Sequence, residues 1–190
     1  MIMNAARALL KQGRSALLLC DMQERNARVT YDFQRIIQNS AKLITALKML
    51  EVPMIVAEQT PEILGKTVSE LDISSAKGPF TKTHCSMYIP PVLKELSVIC
   101  SGEKPDAIIL IGMETHVCVE LTAIDLRINE YEVHVVADCT TSYTQELKMY
   151  SLERMRGIGC HITTVENVLF KLLRDSTHKE FKNILHLTRH

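Results

Sequence analysis

Short apolar strands that alternate about six times with helical stretches predict an α/β chain. The expected fold is a three-layer α/β/α, doubly wound domain on a mainly parallel six-stranded sheet. The strand candidates are apolar on both faces, so both faces must be buried, which requires a parallel sheet covered by helices. The stretches between them carry helical periodicity and suit right-handed crossovers. At 190 residues the chain has the size of one domain, and no repeat, low-complexity tract or linker divides it. Residues 1–14 are set apart as an N-terminal extension and residues 177–190 as a C-terminal helix.

The elements follow in order. Ser15 to Cys20 is an apolar run that stops at Asp21. Ile36, Ile37, Leu43, Ile44, Leu47 and Leu50 then form a helical stripe, with Asp32 placed to cap it. Pro53 to Ala57 is the second strand, with proline at its permitted first position. Residues 58–75 read as loop with a helical turn, punctuated by Pro61 and Gly65, and Phe80 to Ser86 as a weak third strand. Pro90-Pro91 opens a helix through Leu96, because a first turn tolerates proline. Asp106 to Ile111 is a fourth strand ended by Gly112, followed by a helix from about Thr115 to Asn129. Val133 to Ala137 is the fifth strand with Asp138 at its end, Leu147 to Arg156 is helical, and Cys160 to Thr164 is the sixth strand. Three pairs fit capping boxes: Ser142 with Gln145, Thr163 with Glu166, and Thr177 with Glu180.

Composition excludes several classes. Lys+Arg 22 against Asp+Glu 22 leaves no excess of cations to displace counterions, so neither nucleic acid nor an acidic membrane is an expected partner. Cys20, Cys85, Cys100, Cys118, Cys139 and Cys160 are scattered without a Cys-x-x-Cys pair, so no zinc site or other metal is expected, and no cofactor. No apolar run approaches a membrane span and no secretory signal is visible, which makes the cytoplasm the expected compartment. Arg7, Lys11 and Arg14 without an acid faintly resemble an organelle presequence, and equally suit a terminal helix.

Doubly wound sheets bind ligands beyond the carboxyl ends of their strands, near the point where strand order reverses. There the sequence places Asp21, Glu58, Lys82 with His84, the stretch Gly112-Met113-Glu114-Thr115-His116-Val117-Cys118, and Asp138. Cys118 falls in the first turn of a helix, where unpaired N–H groups and the dipole favour an anionic sulfur. Lys82 adds positive charge, and Asp21 can accept or relay a proton. Taken singly, a cysteine between Val117 and Val119 is ordinary packing, an aspartate a cap and a lysine a solvated side chain.

Together these stretches carry a resemblance. Leu19-Cys20-Asp21-Met22-Gln23, Phe80-Thr81-Lys82-Thr83 and Ile111-Gly112-Met113-Glu114-Thr115-His116-Val117-Cys118-Val119 resemble the three motifs of the isochorismatase-like cysteine hydrolases, in that family's order and spacing. Val135-Val136-Ala137-Asp138 also matches, and the resemblance covers roughly residues 15 to 175. Glu58-Gln59-Thr60-Pro61, Leu64-Gly65 and Glu70-Leu71 bring the chain nearest to the isochorismatase-domain-containing subgroup.

The resemblance implies a Rossmann-like fold and an Asp21–Lys82–Cys118 triad. It further implies a cis peptide between Met113 and Glu114, and an oxyanion hole made by the backbone N–H groups of Glu114 and Cys118. It implies dimers or larger rings of identical chains. Metal-binding nicotinamidases of the superfamily carry an Asp-x-His motif where this chain has Glu58-Gln59-Thr60, which argues against a metal. Arg25-Asn26-Ala27 stands where many relatives have an aromatic residue, and the cysteine favours thiol chemistry over vinyl-ether hydrolysis.

The expected function is therefore a metal-independent cysteine hydrolase acting on a small amide or related C–N bonded substrate through a thioester. Glu58, His84, Thr115 and His116 are candidates for its substrate pocket. Two rivals stand beside it: a ligand-binding or scaffold domain of the same fold, and a ribonuclease using His84, His116 and Asp21. Neutral charge and 5% aromatic residues give the ribonuclease little support.

Overall fold

A computed structural model describes residues 8–189. The presequence-like reading falls partly on Arg7, outside these residues. Of the same segment, Leu10 is buried, and Arg14 pairs with Asp106 at 2.5 Å and with Glu103. Six strands, β1 (Ser15–Cys20), β2 (Met54–Gln59), β3 (Lys77–Lys82), β4 (Ala107–Met113), β5 (Glu132–Thr141) and β6 (His161–Thr163), form one sheet in the order β3-β2-β1-β4-β5-β6. Every pairing is parallel. The chain is a three-layer, doubly wound α/β domain.

Two cores explain why the strands read as unbroken apolar runs. On β1, Leu17 and Leu19 face one core while Ala16, Leu18 and Cys20 face the other; on β4, Ile109 and Ile111 alternate likewise with Ile108 and Leu110. The first core is covered by α1 (Phe33–Met49), α6 (Val165–Leu173) and α7 (Phe181–Arg189). The second is covered by α3 (Pro90–Leu96), α4 (Glu120–Ile128) and α5 (Gln145–Gly157). A short α2 (Pro61–Leu64) completes the set. Strand order reverses between β1 and β4, whose carboxyl ends lie side by side with Cys20 in register with Gly112. The crevice for chemistry opens there.

Several local readings are corrected. Asp32 occupies the N-cap of α1 but makes no capping bond with its side chain, which approaches Arg35 at 3.7 Å. The cap of α5 is Thr144, accepting from Leu147 N, rather than Ser142; the cap of α6 is Thr164, accepting from Asn167 N, rather than Thr163. Thr177 caps nothing: its N–H and hydroxyl both donate to Asp175, closing a turn before α7. Asp138 does not end β5. The strand advances from Val135 to Thr140 while β4 advances only from Leu110 to Gly112, and the carboxylate of Asp138 in this bulge accepts from Val165 N at 3.0 Å. It fastens the start of α6 rather than facing the crevice. The third strand runs from Lys77 to Lys82, earlier than Phe80 to Ser86.

Candidate active site

Asp21 follows the last residue of β1 and turns the chain sharply. Its N–H still donates to Ala57 O at 3.2 Å, but its φ of 56° is left-handed, a conformation aspartate tolerates better than most residues. The turn is held by Gln23 N and Asn26 Nδ2, both donating to Asp21 O. It directs the carboxylate into the crevice with only 2% of the residue exposed. Gly112 makes room on the neighbouring strand: a Cβ there would lie 2.2 Å from Cys20 O.

Lys82 ends β3 and is equally enclosed. Its Nζ donates to Asp21 Oδ2 at 2.7 Å, Gln59 Oε1 at 2.7 Å, Cys85 O at 2.9 Å and His84 O at 3.1 Å. Burial works against the ammonium, but the charges of Cys20, Asp21 and Cys118 and the bond to Asp21 outweigh it and raise the Lys82 pKa. Lys82 therefore stays cationic. Burial pushes the Asp21 carboxyl above its ordinary value, opposed by Lys82 and by bonds from Cys118 and Cys20. One oxygen of that carboxylate, Oδ1, is enclosed with no hydrogen-bond partner among the described residues.

Cys118 sits in a wide, π-type turn, Thr115–Val119, between β4 and α4. The Met113–Glu114 peptide is cis, and Glu114 O accepts from the N–H groups of both Val117 and Val119 at 3.1 Å. Thr122 ties this turn to the lysine loop: its hydroxyl donates to Cys118 O at 2.6 Å and accepts from Met87 N at 2.9 Å. From the other side Ser151 donates to Thr115 O, and Arg154 grips Glu120 with two bonds. Cys118 acts on both buried partners, lowering the pKa of Asp21 and raising that of Lys82.

The four pocket candidates separate. His116 is half-buried at the rim, its Nδ1 2.9 Å from Ser142 Oγ and its Nε2 3.6 Å from Glu114 Oε2. Thr115 is fully buried, and its hydroxyl has no hydrogen-bond partner among the described residues. His84 contributes its carbonyl to Lys82 while the residue is exposed. Glu58 is buried with Oε1 accepting from the N–H and hydroxyl of Thr67, which pins the loop after α2. Adjacent strand residues point to opposite faces, so Gln59 and not Glu58 reaches the ammonium. Sequence reasoning missed Gln59, Gln23, Thr122 and Tyr143. Gln23 is the most telling of these, since it accepts from Gln59 N and donates back to Gln59 O. Tyr143 packs edge-on to His116 and hydrogen-bonds Glu114, whose carboxyl is raised by burial against that bond.

Among the described residues no group of three or more His, Cys, Asp or Glu side chains is disposed to hold a metal, and no helix is long and apolar enough to cross a membrane. A six-stranded parallel sheet whose order reverses between β1 and β4, flanked by helices, is the α/β fold of isochorismatase-like proteins. The isochorismatase domain matches residues 15–167, and the chain belongs to that family. It is 42% identical over 186 residues to isochorismatase domain-containing protein 2 of Xenopus laevis, covering 96% of this chain and 88% of the relative. It is 40% identical to isochorismatase domain-containing protein 1 of Danio rerio, where 95% of this chain spans 62% of the relative. Among solved structures, the MAR1 ribonuclease of Caenorhabditis elegans superposes with a TM-score of 0.88 at 36% identity, covering 96% of this chain and 93% of that one.

Proposed function

We propose that this chain is a metal-independent cysteine hydrolase for a small amide or related C–N bonded substrate. Cys118 Sγ attacks the carbonyl carbon, and the backbone N–H groups of Glu114 and Cys118 stabilise the oxygen as it becomes an anion. Asp21 accepts the thiol proton of Cys118 as the sulfur attacks and passes it to the departing amine, leaving a thioester on Cys118. Asp21 then takes a proton from water, whose oxygen attacks the thioester and frees the acid and the thiol. Lys82 stabilises the negative charge as it passes between Asp21 and Cys118. The observation that carries this reading is the enclosed 2.7 Å pair of Lys82 and Asp21, whose carboxylate Cys118 also influences.

The test is alkylation of the native protein with iodoacetamide across pH, with mapping of the modified cysteines. Cys118 is expected to react well ahead of a free thiol near pH 6; a rate no faster than a free thiol ends the reading. Mass analysis after incubation with small amides then names the acyl group retained on Cys118. Saturable ligand binding without turnover would favour the binding-domain alternative. The same reading has the chain working in the cytoplasm and associating with copies of itself, and a monomeric mass by light scattering contradicts the second part.

A second reading, RNA cleavage, is favoured by the likeness of this chain to the MAR1 ribonuclease of Caenorhabditis elegans. Nuclease activity that persists unchanged in both Asp21→Asn and Cys118→Ala proteins is contamination. Activity lost in Asp21→Asn but retained in Cys118→Ala would support this second reading against thiol chemistry.

A further inference from the structure

A second thiol lies in the crevice that the hydrolytic scheme does not use. Cys20 is the last residue of β1, and its Sγ donates to Asp21 Oδ2 at 3.5 Å. It belongs to the same core cluster as Cys118, whose thiol is the largest influence on that of Cys20. All six cysteines are free, but only these two converge on Asp21. The lack of a side chain at Gly112 permits the approach, since a Cβ there would meet Cys20 Cβ at 2.7 Å. Cys20 is fully enclosed, whereas Cys118 retains 9% exposure.

We propose that Cys20 is a resolving thiol that captures oxidised Cys118 as an intramolecular disulfide, making the pair a reversible modification site for hydroperoxides. The Cys118 thiolate attacks one oxygen of hydrogen peroxide; the O–O bond breaks, giving the Cys118 sulfenic acid and hydroxide. The sulfur of Cys20 then attacks the sulfenyl sulfur, the S–O bond breaks, and the Cys20 proton passes by way of Asp21 Oδ2 to the departing hydroxide as water. In sum one thiolate, one thiol and one peroxide become one disulfide, one water and one hydroxide, which takes up the proton that Cys118 had released. The bond to Cys118, and then burial, hold the Cys20 thiol protonated, so it is spared direct oxidation until the carboxylate accepts its proton. The modification takes the nucleophile out of use while protecting it from irreversible oxidation to sulfinic and sulfonic acids.

The proposal goes beyond the hydrolase reading and needs only a reactive Cys118, so it is tested by covalent mass rather than turnover. The native protein is treated with a stoichiometric amount of hydrogen peroxide, then digested without reduction. The expected product is lighter by two hydrogens, carries a peptide linking Cys20 to Cys118, and regains both thiols with dithiothreitol. In Cys20→Ala and Cys20→Ser proteins, each checked for a native melting transition, Cys118 should instead gain two or three oxygens that dithiothreitol does not remove. No mass change, a link from Cys118 to the exposed Cys85, or equal over-oxidation with and without Cys20 overturns it. A linked protein that hydrolyses no amide would sink the hydrolase reading alone, and an active amidase that forms no link would sink this one alone.

Discussion

Two of the places where this molecule buries titratable side chains treat charge in opposite ways. At the β1–β4 seam, Lys82 spreads three N–H donors over four acceptors and faces the carboxylate of Asp21. Toward the far edge of the sheet, His134 on β5 is fully buried with neither ring nitrogen hydrogen-bonded among the described residues, stacked on His161 with centroids 4.5 Å apart. Burial, aided by His161 and Lys171, pulls the His134 pKa down to about 3. The first site keeps its ions because it supplies partners for them. The second supplies none, so it keeps a neutral ring and gains only apolar contact. Enclosure alone therefore does not set the charge of a buried group; the opposite charge and the hydrogen bonds it meets there do.

The comparison breaks most sharply at Lys82. Lys82→Met leaves Asp21 enclosed without its counterion, and the expected cost is about 3–5 kcal/mol of unfolding free energy, read from urea denaturation. A loss below about 1 kcal/mol would mean the pair is solvated and the contrast wrong.

The next effect is pH-dependent and belongs to the histidine. The folded pKa of His134 lies below its ordinary value of 6.5, so between pH 6.5 and about 3 the unfolded chain binds the extra proton. Stability is then fully present above pH 6.5 and falls as pH drops, with a slope approaching about 1.4 kcal/mol per pH unit from this group. Comparing melting curves of the native and His134→Phe proteins from pH 7 to pH 4 should give a shallower acid loss in the variant. Parallel curves would show that the ring finds a partner when protonated.

Much of this was legible in the sequence and some could not have been. Strand positions and the residues at their ends show in the apolar runs and in where each run stops, as Asp21 and Lys82 illustrate. Lateral register does not show, because which β3 residue faces Gln59 depends on a crossover of irregular loop rather than on either strand. Caps slipped by one or two residues at Thr144 and Thr164 because neighbouring hydroxyl residues fit the same pattern, and only backbone dihedrals select between them. The bulge in β5 was hidden because Asp138 looks like a strand end to any reading based on polarity.

Smaller effects sharpen the contrast. Thr122→Val removes the acceptor of Met87 N and the donor to Cys118 O without changing shape, and should cost about 1–3 kcal/mol by chemical denaturation. Thr144→Ala and Thr164→Ala should each cost about 1 kcal/mol as lost caps. Thr163→Val should be the mildest, within about 0.5 kcal/mol of the native protein or slightly more stable, because the buried Thr163 Oγ1 has no partner to lose. A larger loss there would reveal a bond that the native fold does make.

The hydroxyl of Thr122 has an engineering consequence. Because it joins the backbone of residue 87 to that of residue 118, the segment that carries the ammonium's carbonyl ligands and the segment that carries the sulfur are not separate modules. Transplanting a foreign 83–89 segment to alter selectivity would succeed only if the graft presents an N–H at the place of Met87. A proline at that place would disconnect the two strand ends even with every reacting atom still encoded.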